Sequence, residues 1–323
     1  MRRHCLPLVM PLALAVVAGG VFAQPLPAAE TTLDDAPTTK QLARVVVTAT
    51  RTARAMTDVP ATVDLIDRAS MDDHLVTNLK DLFRYQPGIS VTSSFGRFGL
   101  GDIRIRGLGG NRVRIETDGI AVPDALVVGS YANANRNFVD LDTLKRVEVL
   151  RGPGSALYGS DALGGVVAFT TKDPADYLKA GRSVYASAKF GYAGSTNGRF
   201  AGGTLALGRG HWSGLLVAGK RRVDAATNQG NNASDGEMRT APNPQHSTGN
   251  NVLGKLVYTV DTNQRLRLTV EGNADRTATD MRSAIGYQPR THADTLGVTG
   301  LDRQRRTRVS LDHAMDALDG TLA

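Results

Sequence analysis

Val252-Leu253-Gly254-Lys255-Leu256-Val257-Tyr258-Thr259-Val260, then Asp261-Thr262-Asn263-Gln264, then Arg265-Leu266-Arg267-Leu268-Thr269-Val270-Glu271 follow one another without a break. Leu266, Leu268 and Val270 alternate with Arg265, Arg267, Thr269 and Glu271, and Val252, Leu256, Tyr258 and Val260 recur in a similar way. A period of two with one apolar face is the signature of a half-buried β-strand. A tight polar turn between two such runs makes a hairpin. By parity Glu271 turns away from the apolar face.

The alternation fills residues 176–323. Val184, Ala186, Ala188, Phe190 and Tyr192 are set against Ser183, Ser187 and Lys189. About six strands are predicted, over 183–192, 201–209, 212–222, 252–260, 265–274 and 304–314. Each is near the roughly 9–11 residues that a tilted strand needs to cross a bilayer. Gly210-His211 and Asp261–Gln264 are tight turns, whereas about 223–251 and 275–303 read as long polar loops. Short turns at one end and long loops at the other are the pattern of a transmembrane β-barrel. A structureless loop of that length is uncommon in a compact soluble domain. Six strands fall short of the roughly eight of the smallest membrane barrels. The expectation is therefore an incomplete barrel at the front of a longer protein.

Upstream, residues 52–175 alternate short strands with short helices. Strands are predicted at Thr62–Ile66, Ile89–Val91, Ile103–Arg106, Val113–Glu116 and Leu144–Leu150, the last with the same period of two. A helix is predicted over Thr77–Tyr85, with Thr77 or Asn78 as its cap and Pro87-Gly88 as its stop. This is a small α+β domain with many glycine turns. Arg104, Arg106, Arg112, Arg114, Arg146 and Arg151 lie near Glu116, Asp118 and Glu148 and read mostly as strand-face ion pairs.

At the amino terminus Arg2 and Arg3 precede an uncharged apolar stretch, Leu6–Phe22, that ends in small residues before Gln24. That is a cleaved secretory signal peptide over residues 1–23. Residues 24–43 are rich in Pro, Ala, Thr and Asp and read as a flexible linker. Val45-Val46-Val47-Thr48-Ala49-Thr50-Arg51 is β-prone and stands apart. It is either a first strand or an extended peptide offered to a partner's sheet edge.

The 323 residues are 41% hydrophobic and 21% charged, too apolar for a disordered chain. Lys and Arg number 38 against 31 acidic residues, for a net charge of +7. No stripe of basic and aromatic residues accompanies that charge, so nucleic acid is not an expected partner. The dense run Arg303-Gln304-Arg305-Arg306-Thr307-Arg308 reads as a strand cap. Cys5 is the only cysteine, which excludes disulfide frameworks and cysteine metal sites. Gly214…Gly219-Lys220-Arg221 and Gly249…Gly254-Lys255-Leu256 approach a phosphate-binding loop, but each lacks the Ser/Thr and puts its lysine on a strand. Gly107-Leu108-Gly109-Gly110-Asn111-Arg112 links two strands and opens no helix. No catalytic triad or metal-ligand spacing is present in the sequence, so neither an enzyme nor a bound cofactor is expected.

In this order the elements resemble a TonB-dependent outer-membrane receptor. Val45-Val46-Val47-Thr48-Ala49 resembles the TonB box, within residues 44–51. Asp102-Ile103-Arg104-Ile105-Arg106-Gly107, Leu150-Arg151-Gly152-Pro153 and Ala156-Leu157-Tyr158-Gly159…Gly164-Gly165-Val166-Val167 resemble the family's plug signatures. The resemblance implies a plug domain over 52–175 inside a barrel of about 22 strands. It also implies TonB, with its inner-membrane ExbB/ExbD complex, as partner, and outer-membrane lipid around the strands. Arg106 and Arg151 match the two plug arginines that face barrel carboxylates in the family.

Arg97–Gly107, Gly109–Val113 and Ser160–Val167 are similar to the haem and haemoglobin receptor branch. Haem receptors of the family commonly take one axial histidine from the apical plug loop, yet Pro123–Asp140 contains none. Tyr131 is the nearest candidate iron ligand there, since phenolate can hold haem iron. Haem iron is thus the expected cargo, with a siderophore or a host iron protein as the alternative, and a passive adhesin or pore as a rival of another class. The short stretch between Ala23 and Arg44 implies transport without a transcription-relay module.

Overall fold

The computed structural model describes residues 45–46, 54–55, 61–93, 100–128, 132–134, 136, 139–179, 181–289 and 292–315. Two short strands, β1 (Val45–Val46) and β2 (Arg54–Ala55), pair antiparallel, with Val45 opposite Ala55. The α+β domain runs through β3 (Thr62–Asp67), α1 (Arg68–Asp73), α2 (Leu79–Leu82), β4 (Ile89–Ser93), β5 (Leu100–Ile105) and β6 (Val113–Thr117). It continues with β7 (Ile120–Ala121), β8 (Leu126–Val128), β9 (Ala132–Ala134), β10 (Leu144–Arg151), α3 (Ser155–Tyr158) and β11 (Gly165–Thr171). Five strands form one sheet in the order β3-β10-β11-β6-β7, in which β11 and β6 are the parallel pair. β4–β5 and β8–β9 are separate antiparallel pairs.

Both faces of that sheet are covered. Ile66, Val147, Val149, Val167 and Phe169 pack with Met71, Leu82, Phe83 and Ile105 on one side. Val63, Leu150 and Val166 pack with Tyr158 and Ala162 on the other. Strands buried on both faces become continuously apolar. That corrects the period-two reading of Leu144–Leu150, because Val147, Glu148, Val149 and Leu150 are all buried.

The helix predicted over Thr77–Tyr85 is also shorter than expected. Only Leu79–Leu82 is helical, capped by the Asn78 side chain, which accepts from the Asp81 amide at 3.0 Å. The Asp81 carboxylate is drawn back onto Thr77 and Asn78, and Gly88 at φ 74° turns the chain into β4. α1 carries no apolar period in the sequence; it is started by Asp67, which accepts from the Ser70 amide at 2.8 Å. Arg106, read as part of a strand, lies in the turn between β5 and Leu108 with φ 51°, followed by Gly107 at φ 84°. Two successive left-handed residues are what a tight hairpin turn requires.

Downstream, β12 (Val184–Ala193), β13 (Gly198–Arg209), β14 (Trp212–Asp224), β15 (Gln245–Thr259), β16 (Gln264–Asp280), β17 (Gly286–Gln288), β18 (Ala293–Thr295) and β19 (Thr299–Met315) follow. Six of them make one antiparallel sheet in the order β12-β13-β14-β15-β16-β19, and β17–β18 is a small hairpin inside the connection to β19. The strand count and the alternation of short and long connections match the sequence reading. The lengths do not. β15 begins at Gln245 rather than 252, β16 runs on to Asp280, and β19 starts at Thr299. These extensions are mostly polar and leave no hydrophobic period; main-chain pairing continues them, with Gln245 bonded to Thr279 at 3.0 Å and Ser247 to Thr277 at 2.9 Å across the strands.

The two faces of the sheet separate cleanly. Phe190, Leu216, Leu256, Leu268, Val309 and Leu311 are exposed on one side, with the Trp212 and Tyr258 rings 4.7 Å apart and tilted by 45° beside the Gly210-His211 turn. Leu215, Val217, Leu253, Lys255, Glu271 and Arg308 are buried on the other, against the α+β domain.

Gly165 ties the two clusters together. It sits at φ 143°, and a Cβ there would run into the Leu150 carbonyl oxygen and lie 2.9 Å from Ile105 Cδ1. Gly181 also has a positive φ, 78°, but faces open space. Gly165→Ala is therefore expected to lower stability by more than about 2 kcal/mol, and Gly181→Ala by about 1 kcal/mol. Equilibrium unfolding of the two variants in detergent checks the difference.

Candidate functional site

Asp118 and Gly119 form the turn between β6 and β7 with φ of 48° and 79°, and that turn sets the Asp118 side chain against the end of β11, the parallel neighbour of β6. Its carboxylate accepts from the Thr171 amide at 2.8 Å and from the Thr171 hydroxyl at 2.6 Å. From the wall of long strands, Arg308 Nη2 donates to it at 2.7 Å. The same guanidinium donates through Nη1 to the Thr117 carbonyl at 3.0 Å and through Nε to Glu271 at 2.8 Å. Lys255 Nζ stands 3.9 Å from both Asp118 and Asp173, and Arg267 donates to Asp173 at 2.9 Å. Lys255, Glu271 and Arg308 come from β15, β16 and β19, so three strands of the wall converge on one turn of the inner domain.

Burial by itself would push the Asp118 carboxyl up. The charges of Lys255 and Arg308 and the two bonds from Thr171 outweigh it and hold the carboxyl below its usual range. Asp118 is thus ionised, and its neighbours are arranged around a charge. Higher up, Lys189 pairs with Asp142 at 2.6 Å and Arg221 with Asp275 at 3.1 Å. Near them burial, then the charge of Asp142, push the Asp140 carboxyl up.

The sequence missed most of this cluster. Parity did place Glu271 on the inner face, where it is 3% exposed. The basic run Arg303–Arg308, however, caps nothing. It lies within β19, where Arg306 and Arg308 turn inward to Glu271 at 3.8 and 2.8 Å. Alternation along that run was the available signal, because every second residue of it shares Arg308's face.

The other candidate residues are scattered. Val45 and Val46 are paired in β1, while Val47, Thr48, Ala49 and Tyr131 lie outside the described residues. Arg106 is exposed at its turn. Arg151 ends β10, where its Nε donates to Asp64 on the adjacent strand and its Nη2 reaches Gln86 at 3.4 Å. Among the described residues, the carboxylate beside Arg151 belongs to the α+β domain and not to the wall. No group of three or more His, Cys, Asp or Glu able to hold a metal occurs among the described residues.

An α+β domain ionically seated on the inner face of a lipid-type strand sheet has a counterpart among known families. Residues 55–166 match the model of the TonB-dependent Receptor Plug Domain. The chain carries a TonB-dependent receptor plug.

Relatives agree over more of the chain. The hemin receptor of Yersinia enterocolitica is 34% identical over 262 residues, 79% of this chain and 35% of its own. The hemoglobin-haptoglobin-binding protein A of Haemophilus influenzae is 33% identical over 207 residues, 60% of this chain and 20% of its own. The chain therefore spans between a fifth and about a third of the length of these curated relatives. The FrpB iron transporter from Neisseria meningitidis shares the fold, with a TM-score of 0.62 over 80% of this chain and 37% of that one, at 20% identity. The α+β domain is thus the plug and the six-stranded sheet is barrel wall.

Removing one member of a buried ion cluster strands the others. Asp118→Asn and Arg308→Met are each expected to cost about 3–5 kcal/mol of plug docking. The sign of the pH effect follows from the lowered carboxyl: its contribution is present above the usual aspartate value and is lost as pH falls through and below about 4. Limited proteolysis of the plug across pH 3–7 checks this. The acid-induced loosening of the wild-type chain is expected to be blunted in Asp118→Asn.

Proposed function

We propose that this chain is the plug and first wall strands of an outer-membrane receptor that takes up an iron source, haem or haem from haemoglobin, with energy supplied through TonB. The observation that carries this reading is the plug seated by Asp118 on inward-facing Lys255 and Arg308 of a sheet whose other face is apolar. A domain held in that way closes a pore and moves only when its ion cluster is disturbed. The similarity to a hemin receptor and to a hemoglobin-haptoglobin-binding protein favours haem as cargo. Haem is here a substrate in passage, and the chain's own work is binding and gating rather than catalysis.

In this reading residues 1–23 direct export to the Gram-negative outer membrane, 24–43 are a linker, and 44–51 carry the TonB box. Ligand bound above the plug exposes Val45–Ala49. TonB, driven by its ExbB/ExbD complex, then adds a strand there through main-chain hydrogen bonds. The pairing of Val45 and Val46 with Ala55 and Arg54 supports a segment that accepts strand partners. Arg106 and Arg151 are assigned to wall carboxylates, Arg151 while it also holds Asp64 of the plug. Tyr131 is the candidate cargo contact of the apical loop. A siderophore is the second reading, favoured by one observation: Pro123–Asp140 contains no histidine for haem iron.

Growth of an iron-starved strain producing the receptor, with haem or haemoglobin as sole iron source, tests the proposal. Growth is expected with TonB and not without it. Deleting Val45–Ala49 is expected to abolish growth while haem binding to whole cells persists. Growth that survives the deletion would overturn the coupling. Absence of growth with the receptor verified in the membrane would turn the cargo assignment to siderophores.

A further inference from the structure

A second charged region of the plug has the opposite character from the Asp118 cluster, because part of it is left unpaired. A cavity of about 530 Å³ opens between β3, the start of β10 and the segment Lys172–Lys179. That volume lies in the range of sites for small organic ligands. Its floor is apolar, made of Leu65, Ala69, the Tyr177 ring and the aliphatic stems of its lysines. Around this floor stand five cations against two carboxylates, Asp67 and Asp176.

Three of the cations are engaged. Arg68 bonds Asp72 at 2.6 Å and the Leu141 carbonyl at 2.8 Å, Lys145 bonds Asp176 at 2.5 Å, and Arg146 meets Glu148 at 3.1 Å. Lys172 and Lys179 have no carboxylate within 4 Å among the described residues. The Lys172 ammonium is half-buried, 5.9 Å from the centroid of the Tyr177 ring. Lys179 is exposed.

The groups facing Lys172 come from three sides: Arg68 and Asp72 of α1, Asp142 of the turn before β10, and Lys189 of β12. Burial and then Arg68, aided by Lys189, pull its ammonium down to about 8 against the opposing pull of Asp142 and Asp72. Burial pushes the Tyr177 phenol up to about 12, so that ring stays neutral and adds no counter-charge. A half-buried ammonium with no carboxylate in direct contact carries a cost that a bound anion offsets.

We propose that this cleft binds an amphipathic dianion, a flat apolar body bearing two carboxylates, with Lys172 and Lys179 as the cations that receive them. The apolar floor takes the body and the two unpaired ammonium groups take the charges. In the uptake reading, on which this assignment of role rests, the cleft is a station for carboxylate-bearing cargo passing between plug and wall.

The test is a fluorescence titration of the full chain in detergent micelles with metal-free protoporphyrin IX and with its dimethyl ester. The diacid is expected to bind about 100-fold more tightly than the ester, the worth of two charge-assisted contacts of about 10-fold each. Its affinity is expected to fall between about pH 7 and 9 as Lys172 loses its proton. Lys172→Gln is expected to lose about 10-fold in diacid affinity together with that pH dependence. Lys172→Arg is expected to keep the affinity and lose only the pH dependence, which separates charge from a folding defect. Equal binding of diacid and ester, or wild-type behaviour of Lys172→Gln, would overturn the proposal. The probe carries no iron. A titration that fails while growth on haem is intact refutes this cleft alone, and one that succeeds without TonB-dependent growth leaves the cleft standing and refutes its assigned role.

Discussion

A single carboxylate organises the contact between plug and wall. Asp118 is fixed from below by both polar groups of Thr171 and from the side by Arg308, which is itself held by Glu271 and the Thr117 carbonyl. All three nitrogens of that guanidinium donate, in the planar fork that arginine offers and lysine does not. Buried ion pairs are poor sources of net stability but good sources of specificity. Here the specificity is of register. Glu271 and Arg308 are direct cross-strand partners, and side chains along a strand alternate between faces. A one-residue slip of β19 would carry Arg308 to the other face, taking its guanidinium away from both Glu271 and Asp118.

Much of this architecture was legible because a bilayer enforces it. Leu266, Leu268 and Val270 must face hydrocarbon, so the strand positions and the inward parity of Glu271 stand in the sequence. The strand ends do not. Gln245–Asn251 and Thr299–Arg303 continue the sheet past the apolar band, where neither face needs to be apolar and no period survives. The plug was harder to read for a different reason: β10 and β11 are covered on both faces, so alternation disappears just where the core is densest. α1 is six residues long and rests on one cap, Asp67, rather than on an apolar stripe.

The site was the least legible part. Asp118 precedes Gly119 in what reads as an ordinary turn, and Lys255 and Arg308 stood out only as a failed phosphate loop and a basic run. Their meaning comes from long-range pairing, 190 residues apart in the case of Asp118 and Arg308, which no local pattern records. The plug carries two contrasting charge systems as a result. The one at Asp118 is closed, with the Asp118 carboxylate held from the plug by Thr171 and from the wall by Arg308. The one at Lys172 is open, with an apolar floor and two lysines that touch no carboxylate among the described residues. The first fixes a position, and the second leaves room for something else.

The tilted ring pair Trp212 and Tyr258 beside the short turn also sets a depth. Aromatic rings of this kind settle at the level of the lipid headgroups. Along the ladder Trp212 is opposite Tyr258, and Tyr258 is opposite Leu266, five residues short of Glu271. With a rise of roughly 3.3 Å per residue and a strand tilt of about 40°, Glu271 and Arg308 ride about 12 Å above that waterline. In a hydrocarbon layer about 30 Å thick, this puts the most concentrated charge of the chain close to the midplane, one sheet away from lipid tails. The wall is therefore an electrical insulator as well as a fence, and each small outward-facing residue in front of the cluster thins it.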